Sequence, residues 1–163
     1  MFYKQSTLIR KWALRGKQPK VVSAPGREKT GYFGLVNMIT GRLITENSDQ
    51  FDQHSFKDFL ETVLFFTSEY RKIIIILDNA KWHHAKYIQR FLQKNKERIE
   101  FLFLPPYSPE LNPIERVWKL TRKRITHNRF FCTMADLRCA LMTQFFWWNT
   151  NYNNPLRTLC ASI

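Results

Sequence analysis

Apolar positions recur along this chain with two distinct patterns. At residues 56, 59, 60, 63 and 64 they share one side of a helix, which the spacing predicts over Ser55–Phe66. Ile88, Phe91 and Leu92 repeat that period within His83–Lys94, with Lys86, Arg90 and Lys94 on the opposite side. Ile114, Val117, Trp118, Thr121 and Ile125 mark a helix over Pro113–Ile125. Met134, Leu137, Leu141, Phe145 and Trp148 mark a closing aromatic helix over Met134–Trp148, with Asn149–Pro155 as a polar terminator. Two short runs, Ile73–Leu77 and Ile99–Leu104, are apolar almost throughout, the pattern of strands buried on both faces. Pro105-Pro106 ends the second, because proline cannot continue a central strand. Tyr32–Ile39 and Leu43–Asn47 flank Thr40-Gly41 and read as a hairpin.

A hairpin followed by alternating helices and strands predicts an α/β class, with a mixed sheet and crossover helices. The 163 residues suit a single domain over 1–163, with no internal repeat, low-complexity run or linker. Charge sharpens the picture: 26 Lys and Arg against 13 Asp and Glu give +13, which favours an anionic partner, nucleic acid or lipid. Nothing approaches the ~18 apolar residues of a membrane span and no signal peptide opens the chain, so no membrane partner and a cytoplasmic location are expected. Cys132, Cys139 and Cys160, an odd number without a C-x-x-C pair, argue against a disulfide framework and a zinc site and read as reduced thiols that mostly pack. Residues 1–20 carry Lys4, Arg10, Lys11, Arg15, Lys17 and Lys20 around Trp12 and Leu14, with turn positions at Gly16 and Pro19. They read equally as a solvated lead-in or a phosphate-contacting edge. Pro25-Gly26 marks a further turn.

Candidate chemistry gathers between Ile73 and Trp118. Asp78 stands where the first apolar run ends, and open α/β sheets place their chemistry outside the carboxyl ends of strands. Its structural alternative is an Asx turn with Asn79. Glu115 opens a helix in Asn112-Pro113-Ile114-Glu115, a capping-box pattern, so spacing alone favours a cap, or a pair with Lys119 one turn on. Carboxylates delivered by separate rigid elements also suit hard divalent cations, which are held by one or two carboxylates plus substrate phosphates. His83 and His84 diverge by about 100° on a helix and make a poor chelating pair, better read as a partly exposed helix start. After Glu115 the helix bears Arg116, Lys119, Arg122, Lys123 and Arg124 without an acid, and phosphate is the natural counter-charge. Trp82 and Tyr107 flank the acids in loops where a base stacks, although packing is at least as good a reading of Trp82.

The segments DNAKWHHA, LPPYSPELNPIERVWK and NPLRTLC resemble the catalytic domain of mariner-like bacterial insertion-sequence transposases, DDE superfamily endonucleases. The resemblance covers essentially the whole chain. It implies a ribonuclease-H-like mixed sheet with flanking helices, and cutting and joining of DNA by three acids with two Mg²⁺ or Mn²⁺ ions. It gives the second acid to Asp78 and the third to Glu115, as catalytic residues and metal ligands, and a supporting role to His83. DNA contacts are expected at Lys81, His83, Arg116, Lys119, Arg122 and Lys123. In the family the first Asp ends an opening central strand a few residues ahead of the segment matching Phe2-Tyr3. Residues 1–27 contain no Asp or Glu, so that strand is expected to be largely missing and its neighbours to present an open edge. The implied function is the catalytic domain of a DNA transposase, N-terminally truncated, with little or no cleavage by the chain alone. The alternative is a non-catalytic DNA-binding or interfering remnant. Implied partners are DNA, as transposon ends and target, and a second copy or the full-length transposase.

Overall fold

The computed structural model describes residues 1–10, 12–17, 20–22 and 28–161, so Lys11, Pro19 and the Pro25-Gly26 turn fall outside the described residues. Strands β1 (Phe2–Tyr3), β2 (Lys29–Val36) and β3 (Leu43–Ser48) form an antiparallel sheet in the order β1-β2-β3. β2 and β3 pair from Gly31 opposite Ser48 to Val36 opposite Leu43. The first hairpin strand stops short of the expected Ile39 because the Asn37 side chain accepts hydrogen bonds from the amides of Ile39 and Thr40 and folds them into the turn. Gly41 completes that turn at φ +73°, where a side chain would be strained. β1 covers only Lys29 and Thr30 on the other edge of β2.

Asp52 caps α1 (Gln53–Phe66), which leads into β4 (Ile73–Leu77). β4 runs parallel to β5 (Ile99–Phe103), Ile73 opposite Ile99 through Leu77 opposite Phe103. Parallel pairing needs a crossover, supplied by a 3₁₀ turn at Lys81–His84 and α2 (Lys86–Lys94). The continuous helix expected from His83 is broken at Ala85, whose backbone is extended at ψ 141°. Beyond β5 come α3 (Pro113–Thr121), α4 (Met134–Thr150) and α5 (Pro155–Ala161). α3 continues as a π turn over Arg122–Thr126, closed by His127 N–H to the Arg122 carbonyl at 2.9 Å. Among the described residues no helix is long and apolar enough to cross a membrane.

Alternation along the hairpin sends its side chains into two cores. Tyr32 and Leu43 pack with α3, α4 and α5 around Val117, Leu141, Trp148 and Leu156, while Phe33 and Ile44 pack with α1 and α2 around Leu60, Val63 and Ile88. Helices therefore flank the strands on both sides, as an α/β class requires. The helical stripes face the cores as their spacing predicts, although Leu64, Phe91, Leu92, Ile114, Trp118 and Met134 are only partly buried. Two expectations need correction. β4 and β5 are not buried on both faces, since Ile74 is 64% and Leu102 55% exposed. Of the cysteines only Cys160 packs, and Cys132 and Cys139 are exposed.

The strands form two sheets rather than one. Between them lies a cavity of about 980 Å³ lined by residues 32–39 and 73–77, with Ile114 and Trp118 beneath. Among the described residues no strand pairs with β4 on this side, so two strand edges with unmatched backbone groups border the cleft where the opening strand is expected. Gly34 in β2 seats α3 against the cleft, because a Cβ there would collide with the Trp118 ring. Gly34→Ala is expected to destabilise the protein by about 1–3 kcal/mol in urea unfolding, the usual range for overpacking. An unchanged midpoint would mean that Trp118 yields freely.

Candidate active site

Asp78 follows directly on β4, and its carboxylate is 65% exposed. One oxygen accepts from the Ala80 amide at 3.1 Å, so the Asx turn is formed. The backbone carbonyl of Asp78 accepts from His83 Nδ1 at 3.0 Å, and the same nitrogen lies 3.3 Å from the carboxylate. A carbonyl only accepts, which fixes the tautomer with the proton on Nδ1. His83 is buried against Phe56, its ring centroid 4.4 Å away, and burial pushes its pKa below the ordinary value against the pull of Asp78. The expectation of a partly exposed histidine pair therefore holds for His84 alone, which stacks on Phe103 at 4.4 Å.

Glu115 is positioned by the start of α3. Asn112 accepts from the Ile114 amide at 3.4 Å, Pro113 opens the helix, and the Glu115 amide bonds the Asn112 carbonyl at 3.1 Å. The other half of the capping box is absent. Among the described residues the Glu115 carboxylate neither returns to the Asn112 amide nor pairs with Lys119, and it stays exposed. The side chain is therefore free of both structural roles that spacing offers it.

Both acids border one cavity of about 430 Å³, together with Asn79, Asn112 and residues 104–108. Asn79 holds the two strand ends in place by donating to the Leu104 carbonyl at 2.6 Å, while the Leu104 amide bonds Leu77 at 2.9 Å. The sequence carried a signal for this tie, an amide one residue past the strand-end acid, but not its partner. Tyr107 projects from the loop at φ +60°, a left-handed conformation that costs a non-glycine residue on the order of 1–3 kcal/mol. Both acids also line the larger cleft, as do Met1 and Arg122. Burial and then Arg122 hold the Met1 ammonium below its ordinary pKa, with Glu115 acting in the opposite sense.

The cations divide by exposure. Lys81, Lys119 and Lys123 are exposed, and Arg122 is half-buried at the cleft. Arg116 donates to the Leu159 carbonyl at 3.3 Å and is half-buried, while His83 at 8% exposure has almost no surface to offer a phosphate. Trp82 is half-buried and packs on the core of α1 and α2.

A model of the DDE superfamily endonucleases matches residues 1–138. The insertion element IS630 uncharacterized 39 kDa protein of Shigella sonnei is 28% identical over 126 residues, 77% of this chain and 36% of that protein. The uncharacterized protein y4pE/y4sA of Sinorhizobium fredii is 41% identical over 92 residues, 55% of this chain and 61% of its own length. The chain thus spans only part of these relatives. In the Mos1 strand transfer complex, a chain matches with a TM-score of 0.70 at 15% identity, covering 98% of this chain and 48% of its own. The Mos1 mariner paired end complex with Mn matches at 0.69 and 14% identity, with the same coverage. At these identities the likeness is one of fold, and the fold is ribonuclease-H-like with flanking helices, as the motifs imply.

Proposed function

This chain belongs to the DDE superfamily endonucleases, and from that membership we propose that it carries part of the divalent-metal centre with which a transposase cuts and joins DNA. The observation that carries the reading is the meeting of Asp78 and Glu115, from separate elements, at one cavity with both carboxylates exposed. Their chemistry fits the ion. Carboxylate oxygens are the donors that Mg²⁺ and Mn²⁺ take, and one or two of them with phosphate oxygens suffice to hold such a cation. Glu115 makes no competing bond among the described residues, and Asp78 commits one oxygen to Ala80. The Mn of the Mos1 paired end complex supports the same choice of ion. When bound, the metal would neutralise charge developing on the scissile phosphate and activate the attacking oxygen.

The residues of the chain position and neutralise. His83 and Ala80 orient Asp78, while Asn112 orients the first turn that bears Glu115. Lys81, Lys119, Lys123 and Arg122 are the cations placed to meet the DNA backbone, and His83 and Arg116 are spent on internal bonds. A second reading, a polypeptide that binds DNA without cutting it, rests on the acid count. Among the described residues no group of three His, Cys, Asp or Glu gathers at any point.

Titration with Mn²⁺, followed by the loss of the free-ion electron paramagnetic resonance signal, tests the centre directly. Asp78→Asn and Glu115→Gln are each expected to weaken binding at least about tenfold, and EDTA to reverse it. Mn²⁺ affinity unaltered by both substitutions would remove the assignment.

A further inference from the structure

The geometry points to Tyr107 as a stacking platform for an unpaired nucleobase beside the acidic pair, so that the chain favours DNA with a frayed or flapped end over fully paired duplex. The inference rests on DNA being the ligand, as proposed above. Tyr107 is 100% exposed, although aromatic rings normally bury most of their surface. Its left-handed backbone at φ +60° is held from both sides. Pro105-Pro106 precedes it, the Ser108 hydroxyl donates to the Pro106 carbonyl at 3.3 Å, and the Leu111 amide bonds Ser108 at 3.2 Å.

The root of the loop is fixed to the acid-bearing strand end through Asn79 and Leu104, and Tyr107 borders the same cavity as Asp78 and Glu115. A base that stacked on Tyr107 would therefore hold its own phosphate near the carboxylates. The other aromatic residue flanking the acids, Trp82, is half-buried against the core of α1 and α2 and presents less of its ring than Tyr107. A loop whose backbone is already restrained loses little backbone freedom on binding, and every base has a π-face to present, so the contact is tolerant of sequence.

The test uses residues 1–163 and two probes, a blunt duplex and the same duplex with two unpaired 2-aminopurine nucleotides at one 3′ end. Preference is the ratio of the two affinities, and unfolding midpoints confirm that each variant folds. The flapped duplex is expected to bind about tenfold more tightly, with 2-aminopurine fluorescence quenched in the complex. Tyr107→Phe should keep the preference and the quenching, and Tyr107→Ala should bring the ratio to about one. Equal affinities for the wild type, or a preference that survives Tyr107→Ala, would overturn the platform while leaving duplex binding in place. Failure to bind either probe would overturn the DNA reading together with it.

Discussion

Supercoiled plasmid incubated with residues 1–163 and Mg²⁺ or Mn²⁺ is expected to be nicked at or near the background rate. Two carboxylates can hold a cation, but a metal pair between bridging phosphates needs more negative charge than Asp78 and Glu115 supply, and the cleft adds Arg122 and the Met1 ammonium instead. The same cleft indicates how the deficit is repaired. Its two borders, β2 and β4, are strand edges, and Met1 already lies within reach of Glu115's charge. An apolar strand ending in Asp-Glu, fused a few residues ahead of Met1, would pair with those edges and bring a third acid toward the other two. That fused protein is expected to nick, and Asp78→Asn or Glu115→Gln within it to lower the rate by at least on the order of a hundredfold. On the proposed assignment DNA affinity should scarcely change, since each substitution would remove a metal ligand and no phosphate contact. Robust metal-dependent nicking by residues 1–163 that survives Asp78→Asn would place the chemistry elsewhere.

The elements most legible in the sequence are those whose burial follows from their own period. The stripe at 56, 59, 60 and 63 is buried in α1, and Leu137, Leu141, Phe145 and Trp148 are buried in α4. The candidate acids stand at element boundaries marked by strong punctuation, yet spacing alone favours a cap for Glu115 and a turn for Asp78, and it is the resemblance that offers both as metal ligands. What periodicity cannot state is which surface lies opposite. Ile73–Leu77 is apolar throughout, yet Ile74 faces solvent, because an apolar run records what a strand tolerates and not what covers it. No periodicity marks α5 behind Asn151, Asn153 and Asn154, although Asn154 accepts from the Leu156 amide at 2.9 Å and Leu156 and Cys160 are fully buried. Seven residues carry too little period to be read alone, so tertiary packing decides them. The break at Ala85 is local instead: no side chain caps α2 there, and the turn before it is held by the bond between His83 and the Asp78 carbonyl.

Duplex affinity is expected to fall about a thousandfold between 50 and 200 mM salt if ~6 phosphates are neutralised, with scrambled sequences bound alike. The net charge of +13 makes binding attractive at long range, but charge alone does not set the slope. The slope counts cations that meet phosphates and release the counterions held there. Exposure nominates them. Lys81, Lys119 and Lys123 stand in solvent, as do Arg10, Arg15, Lys17 and Lys20 along the lead-in, whereas Lys4 is paired with Glu28. Lys119→Gln and Lys123→Gln should each flatten the plot of log affinity against log salt by about 0.9 and weaken every sequence equally. Arg116→Gln should act differently. Its guanidinium bonds the Leu159 carbonyl and holds α5 to α3, so its loss should lower the unfolding midpoint and leave the salt slope nearly as it was. A slope unmoved by Lys119→Gln and Lys123→Gln together would take DNA away from the α3 face and assign the phosphate contacts to the basic lead-in.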